Sequence, residues 1–157
     1  MLISRADLEE KARSLRETGK VVFTNGCYDL IHPGHLHLLE AAAARGDTLL
    51  VAINDDESVR RLKGENRPVY SARERAEILL AIRWVDCVTI FSEDTPLETI
   101  QLVQPDVLVK GSEYAEEDIV GAKEVRDRGG QVVRIQMKPG YSTRALIRKV
   151  SSFQQES

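Results

Sequence analysis

Apolar and polar positions along the chain sort into short apolar runs separated by stretches of helical spacing. Ser4 and Asp7 form a capping-box-like start, and Leu8, Ala12 and Leu15 then recur at helical spacing up to Thr18-Gly19. "KVVFTN" reads as a short buried strand. Pro33 suits a first helical turn, and Leu36, Leu39 and Ala43 continue a helix that stops at Arg45-Gly46. "TLLVAIN" reads as a second strand. The polar stretch "DDESVRRLKGENRPVY" follows, long enough for a functional loop with one helical turn. Ser71 and Glu74 make an S-x-x-E capping box for "ARERAEILLAIRW". "CVTIF", "DVLVKG" and "QVVRIQ" complete a set of five strands. Between and after them, helices are expected from Thr95-Pro96 to Leu102, over "GAKEVRDR", and over "TRALIRKV", the last capped by Ser142.

Strict alternation of strand and helix implies a parallel sheet with helices on both faces. Right-handed crossovers narrow this to a doubly wound, Rossmann-like α/β fold, and for five strands the expected order is 3-2-1-4-5. The chain is expected to be one domain, residues 1–157, with an N-terminal helix in 1–19 and a frayed tail at 151–157. Ligands in such a sheet bind where strands one and four diverge.

Composition changes this picture little. At 157 residues, 42% hydrophobic and 30% charged, the chain is ordinary for a globular protein. A net charge of −3 argues against a general nucleic-acid surface, and two cysteines, Cys27 and Cys87, do not form a disulfide framework. No apolar run approaches the ~18 residues of a membrane span, and the first residues do not form a signal peptide. A cytoplasmic protein with no membrane partner is expected.

The chemistry concentrates in "FTNGCYDLIHPGHLHLLEAA". His32-Pro33-Gly34-His35 lies at the carboxyl end of the first strand and opens a helix whose first N–H groups attract anions. Gly34 removes a side chain where phosphate would approach the backbone. His32 and His35, about one turn apart, can donate to the same phosphate, whose charge would favour their cationic forms. Such donors suit charge developing on a phosphoryl group. Two alternatives compete: ordinary capping or surface histidines, and a zinc site of His32, His35 and Cys27, for which no further Cys or His cluster completes the ligands. His37 points away and reads as structural. Gly140-Tyr141-Ser142-Thr143, at the start of the last helix, offers N–H groups and two hydroxyls to a β- or γ-phosphate.

Phe23 to His35, with "NGCYDLIHPGH", resembles the signature of the HxGH nucleotidyltransferase superfamily. "GDTLLVAINDDESVRRLKGENRPV", "RWVDCVTIFSEDTP", "PDVLVKGSEY" and "GYSTRALI" extend the likeness to the adenylyltransferase domains of the ADP-heptose pathway. The resemblance implies transfer of AMP from ATP to D-glycero-D-manno-heptose 1-phosphate, a step of surface-carbohydrate biosynthesis, with Mg²⁺ on the nucleotide phosphates and no dedicated metal ligands. It implies that His32 and His35 act at the α-phosphate and that Lys63 folds over the triphosphate. Cys27, Tyr28, Gly34 and Arg83 would lie at the nucleotide with Gly140, Tyr141, Ser142 and Thr143. Asp29, Lys110 and Glu113 are candidate contacts for the sugar substrate, Asp29 alternatively orienting the loop. Arg144 stands where relatives carry a second Thr, and its role stays open, as does the choice among Arg60, Arg61 and Arg67 as a phosphate contact.

A separate upstream sugar kinase and a homodimer complete the expectation; the apolar face of the first helix is either core or interface. The rivals are a cytidylyltransferase for an alcohol phosphate, an FMN adenylyltransferase, and a non-catalytic nucleotide-binding module.

Overall fold

The apolar runs become strands, and in the computed structural model, which describes residues 1–155, they form one parallel sheet. In chain order the elements are β1 (Leu2–Ile3), α1 (Leu8–Thr18), β2 (Val21–Gly26), α2 (Pro33–Ala43) and β3 (Thr48–Asn54). Then come α3 (Asp56–Lys63), α4 (Ala72–Leu80), β4 (Cys87–Phe91), α5 (Leu97–Val103) and β5 (Val107–Gly111). A 3₁₀ turn at Glu116–Asp118, α6 (Ala122–Asp127), β6 (Gln131–Ile135), α7 (Thr143–Ser152) and a 3₁₀ turn at Phe153–Gln155 finish the described chain. The tail expected to fray at 151–157 is instead helical as far as it is described: Ser151 and Ser152 end α7 and Phe153–Gln155 form that turn, while 156–157 lie outside the described residues.

The sheet has six strands, ordered β1-β4-β3-β2-β5-β6, not the expected five in the order 3-2-1-4-5. The addition is β1, which pairs with β4 through Leu2–Val88 and Ile3–Thr89 at the sheet edge. Two residues are too few for a period to show in sequence. The register is instead held by Ile3, which is buried, and by the Thr89 hydroxyl donating to the Ile3 carbonyl at 3.0 Å. Inside that edge the five longer strands follow one another as β4-β3-β2-β5-β6.

Period-two alternation in strands buried on both faces splits the core into two layers. Val21, Phe23, Leu50, Ala52 and Leu108 face Leu8 and Ala12 of α1, Ile100 and Val103 of α5, and Val125 of α6. Val22, Leu49, Val51, Ile53 and Val109 face Leu38, Leu39 and Ala42 of α2 and Ala76 and Leu79 of α4. The apolar face of α1 is therefore core, which removes it as a subunit interface.

Local capping follows the sequence closely at α4, where Ser71 and Glu74 cap reciprocally, and at α7, where Ser142 Oγ accepts from Ala145 N–H at 3.0 Å. The stretch expected as a loop after β3 is instead an eight-residue helix, α3. Its cause is Asp55, whose carboxylate accepts from Ser58 N–H at 2.8 Å, while Asn54 Nδ2 donates to Ser58 Oγ at 2.7 Å. Among the described residues no helix is long and apolar enough to cross a membrane.

Because Leu8 is fully buried in the α1 layer, Leu8→Ala is expected to cost about 2–5 kcal/mol of unfolding free energy. Urea denaturation checks it, and the loss should not change with protein concentration, as loss of an interface residue would.

Candidate active site

At the carboxyl ends of β2, β3, β4 and β5 the sheet opens into a cleft of about 610 Å³. It lies at the switch point where β3 and β5 leave opposite sides of β2. Its lining includes Cys27, Tyr28, Asp29, His32, His35, Lys63, Arg67, Lys110, Glu113, Tyr141, Ser142, Thr143 and Arg144. Most of the residues expected at the site therefore meet in one place. Arg83 does not. It sits before the amino end of β4, with its guanidinium 5.4 Å from the Trp84 ring centre, outside the cleft.

The two histidines build the start of α2 themselves. His32 is the N-cap, and its Nδ1 accepts from Gly34 N–H at 3.1 Å, while His35 Nδ1 accepts from His32 N–H at 3.2 Å. This is a capping box made of two imidazoles. Because each Nδ1 accepts an amide proton, the neutral ring carries its own proton on Nε2. The rings stack with centroids 3.8 Å apart and planes at 28°.

The expectation for the α2 backbone changes as a result, and the resting state of the rings is defined. Pro33 has no N–H, Gly34 N–H is capped, and His35 N–H bonds to the His32 carbonyl at 2.9 Å, so the α2 backbone offers no donor to phosphate. A Cβ at Gly34 would stand 2.8 Å from His32 Cε1 and 3.2 Å from Tyr141 Cβ. Gly34 thus makes room for those side chains, not for phosphate. The imidazoles are also not cations at neutral pH. Burial, helped by the neighbouring His32, takes His35 down to about 4, and burial lowers His32 too. They are neutral Nε2–H donors that phosphate charge would have to pull toward protonation.

The open backbone donors lie instead at α7. Gly140, at φ +84°, turns the chain into Tyr141-Ser142, and no bond among the described residues occupies the N–H of Thr143 or Arg144. Lys63 stands exposed at the last turn of α3 and lines the cleft. Of the three arginines left open, Arg67 lines the cleft with its Nε 2.7 Å from Asp29, whereas Arg61 is tied to Asp94 and the Ser92 carbonyl.

Asp29 is a bracket, not a substrate contact. Its buried carboxylate accepts from Arg67 Nε and from the N–H groups of Val69 and Tyr70, all within 2.9 Å. Burial alone would raise its pKa, but the backbone N–H donors and Arg67 outweigh burial and hold it below the usual carboxylate range. Lys110 Nζ reaches the Asn25 carbonyl and side chain at 3.3 and 3.2 Å and lies 4.7 Å from the Tyr114 ring centre. Burial lowers it to about 8. Glu113 folds its carboxylate over Gly111, where a Cβ would collide with it at 2.1 Å. The Cys27 thiol is pushed up by burial and faces Asn54 Oδ1 at 3.7 Å, the environment of an inert thiol. Among the described residues no three His, Cys, Asp or Glu side chains converge as a metal site, so the zinc alternative has no ligand set.

Sequence reasoning missed Arg75. It is fully buried, and it donates to the carbonyls of Tyr70, Cys27 and Asn54 and to Asp56 Oδ1, at 2.8–2.9 Å. One guanidinium thereby joins the ends of β2 and β3, the start of α3 and the chain entering α4. The signal was there: Arg75 shares the helical face of Ala72, Ala76 and Leu79, where a charge needs a buried partner.

The family model described as cytidylyltransferase-like matches residues 23–149. The bifunctional protein HldE of Gluconobacter oxydans is 53% identical over 137 residues, 87% of this chain and 29% of that protein. HldE of Azorhizobium caulinodans is 50% identical over 149 residues, 94% of this chain and 31% of that protein. The chain thus spans 29–31% of the length of these curated relatives. The crystal structure of a lipopolysaccharide core biosynthesis protein from Thermoplasma volcanium shares the fold, with a TM-score of 0.66 at 23% identity, covering 76% of this chain and 98% of that one.

Removing the hub by Arg75→Ala leaves four acceptors without the guanidinium and is expected to cost about 3–5 kcal/mol in urea unfolding. A pH effect follows from His35. Its folded pKa of about 4 lies below the unfolded value of 6.5, so the unfolded chain takes the proton first as pH falls. Stability from the neutral ring is full above pH 6.5 and is lost progressively toward pH 4. His35→Asn should flatten that part of the profile, measured as urea midpoint against pH.

Proposed function

The chain belongs to the cytidylyltransferase-like family, and we propose that within it the protein is a sugar-phosphate adenylyltransferase, transferring AMP from ATP to D-glycero-D-manno-heptose 1-phosphate. The observation that carries the reading is the stacked imidazole pair, two rings with centroids 3.8 Å apart that each leave Nε2–H free, at a cleft whose far wall presents open amides at α7. The likeness to HldE over nearly the whole chain supports adenylyl transfer to heptose over the cytidylyl and FMN alternatives.

In the proposed reaction a phosphate oxygen of the sugar attacks the α-phosphorus of ATP in line. The new O–P bond forms as the bond from the α-phosphorus to the bridging oxygen breaks, and pyrophosphate leaves with that electron pair. The nucleophile is already ionised at neutral pH, so no general base is required. His32 and His35 donate to the α-phosphoryl oxygens as charge shifts onto them, acting through alignment and neutralisation. Lys63, a mobile point charge, and the start of α7 with Ser142 and Thr143 hold the departing pyrophosphate. Lys110 and Glu113 face the sugar phosphate.

Mg²⁺ belongs to this reading as an ion carried by the phosphates. Two of the cleft-lining carboxylates, Asp29 and Asp94, are already bound by Arg67 and Arg61, which fits an ion held by phosphate oxygens and water. A sugar 1-phosphate must come from a phosphoryl-transfer step, so a sugar kinase belongs upstream. A cytoplasmic, homodimeric enzyme completes the proposal.

Pyrophosphate release with ATP, CTP and GTP against α- and β-heptose 1-phosphate, with glycerol 3-phosphate and FMN as further acceptors, tests it. Turnover is expected with ATP and one heptose anomer only, and His35→Ala should lower kcat by about 10²–10³-fold. Release only with CTP and an alcohol phosphate, or with FMN, would replace the substrate. Nucleotide binding without release from any pair would favour the non-catalytic module.

A further inference from the structure

The imidazole pair is the middle of a longer column. The Tyr28 ring meets His35 at 5.1 Å and 47°, His35 stacks on His32 at 3.8 Å, and His32 faces the Tyr141 ring at 6.3 Å with the planes only 17° apart. Four rings thus run from the end of β2, where Tyr28 is buried, to the residue just before the N-cap of α7, where Tyr141 is 44% exposed. Lys138 Nζ lies 5.5 Å from the Tyr141 ring centre.

The parts this column joins are also tied through His37 of α2, whose Nε2 lies 2.9 Å from the Gln136 carbonyl on the chain leading to α7. No residue of α7 is buried. Close approach between this segment and α2 is through Tyr141, whose Cβ would stand 3.2 Å from a Cβ at Gly34. The His32 ring occupies the same space, 2.8 Å from that position. Tyr141 and His32 therefore share the room that Gly34 leaves. The ring that caps Gly34 N–H is confined between His35 on one side and Tyr141 on the other.

We propose that Tyr141 is a positioning residue for adenylyl transfer: its ring, stacked over His32, holds that imidazole with Nδ1 on the Gly34 amide and Nε2–H toward the α-phosphate, and so ties the imidazole pair to the amides at the start of α7. This rests on the proposed adenylyltransferase reading for its catalytic arm alone. The stacking face performs the task, not the phenol oxygen. An imidazole freed on its outer face would keep its chemistry and lose its orientation, which affects the transition state more than nucleotide binding. The same cover explains part of the burial that keeps His32 below the ordinary imidazole range.

The test compares Tyr141→Ala and Tyr141→Phe in the full chain by two readouts. In steady-state turnover, Tyr141→Ala is expected to lower kcat by about 10- to 100-fold while KM for ATP stays within about threefold. Tyr141→Phe should keep most of the wild-type kcat. In NMR titration of the imidazole Cε1–H resonances without substrate, His32 of Tyr141→Ala should titrate nearer the ordinary value of about 6.5, and Tyr141→Phe should follow wild type. An unmoved His32 titration in Tyr141→Ala overturns the proposal whatever the turnover. So does a loss in Tyr141→Phe as deep as in Tyr141→Ala, which would assign the role to the hydroxyl, or a loss confined to KM. Since the titration needs no reaction, failure of the adenylyltransferase reading would show as absent turnover in wild type and leave this arm intact.

Discussion

A charge buried beneath a cleft is tolerable only when its polar atoms are partnered, and all three guanidinium nitrogens of Arg75 are. Its guanidinium fork spans the ends of β2 and β3, the start of α3 and the chain before α4, segments far apart in sequence. The position of Cys27 follows from it, and so does the path of the chain into His32. The position of Asp56 follows too, and with it the direction in which α3 presents Lys63. Asp29 repeats the device nearby by gathering Arg67, Val69 and Tyr70. The cleft is therefore shaped by two polar brackets beneath it, while the groups that face ligand carry lighter structural duty, such as the Ser142 cap of α7, with one exception.

That exception is the histidine pair. The capping box uses Nδ1 of both rings and leaves Nε2 of both for chemistry, so each side chain serves the fold on one edge and the cleft on the other. A Ser–Glu box, such as the one at α4, satisfies the same amides but puts a negative charge at the helix start. Two imidazoles satisfy them with a neutral pair that can gain charge when phosphate arrives.

Much of this was legible from sequence because it depends on local pattern. Strands of five to seven residues announced themselves by apolar runs, and Ser71, Ser142 and Pro33 marked helix starts by rules that act over one turn. The His32–His35 spacing placed both imidazoles at one helix start, where they stack. What escaped depends on contacts made at long range. β1 is too short to carry a period and exists through its pairing with β4. The hub role of Arg75 needs partners at Cys27, Asn54 and Asp56, outside its own helix and turn. Arg83 lies in a motif-like neighbourhood, yet the chain direction carries it to the amino end of β4, where Trp84 takes it up. The pull of burial on the two imidazoles was not legible for the same reason, since burial is a property of the assembled walls.

Three of the four acceptors of Arg75 are main-chain carbonyls, those of Tyr70, Cys27 and Asn54. A carbonyl is present whatever side chain its residue bears. Side chains at 27 and 70 can therefore drift without loosening the guanidinium beneath them, and the walls of the cleft are free to be recut around an unchanged foundation. Such separation lets the lining of the cleft change residue by residue while the ends of β2 and β3 keep their places.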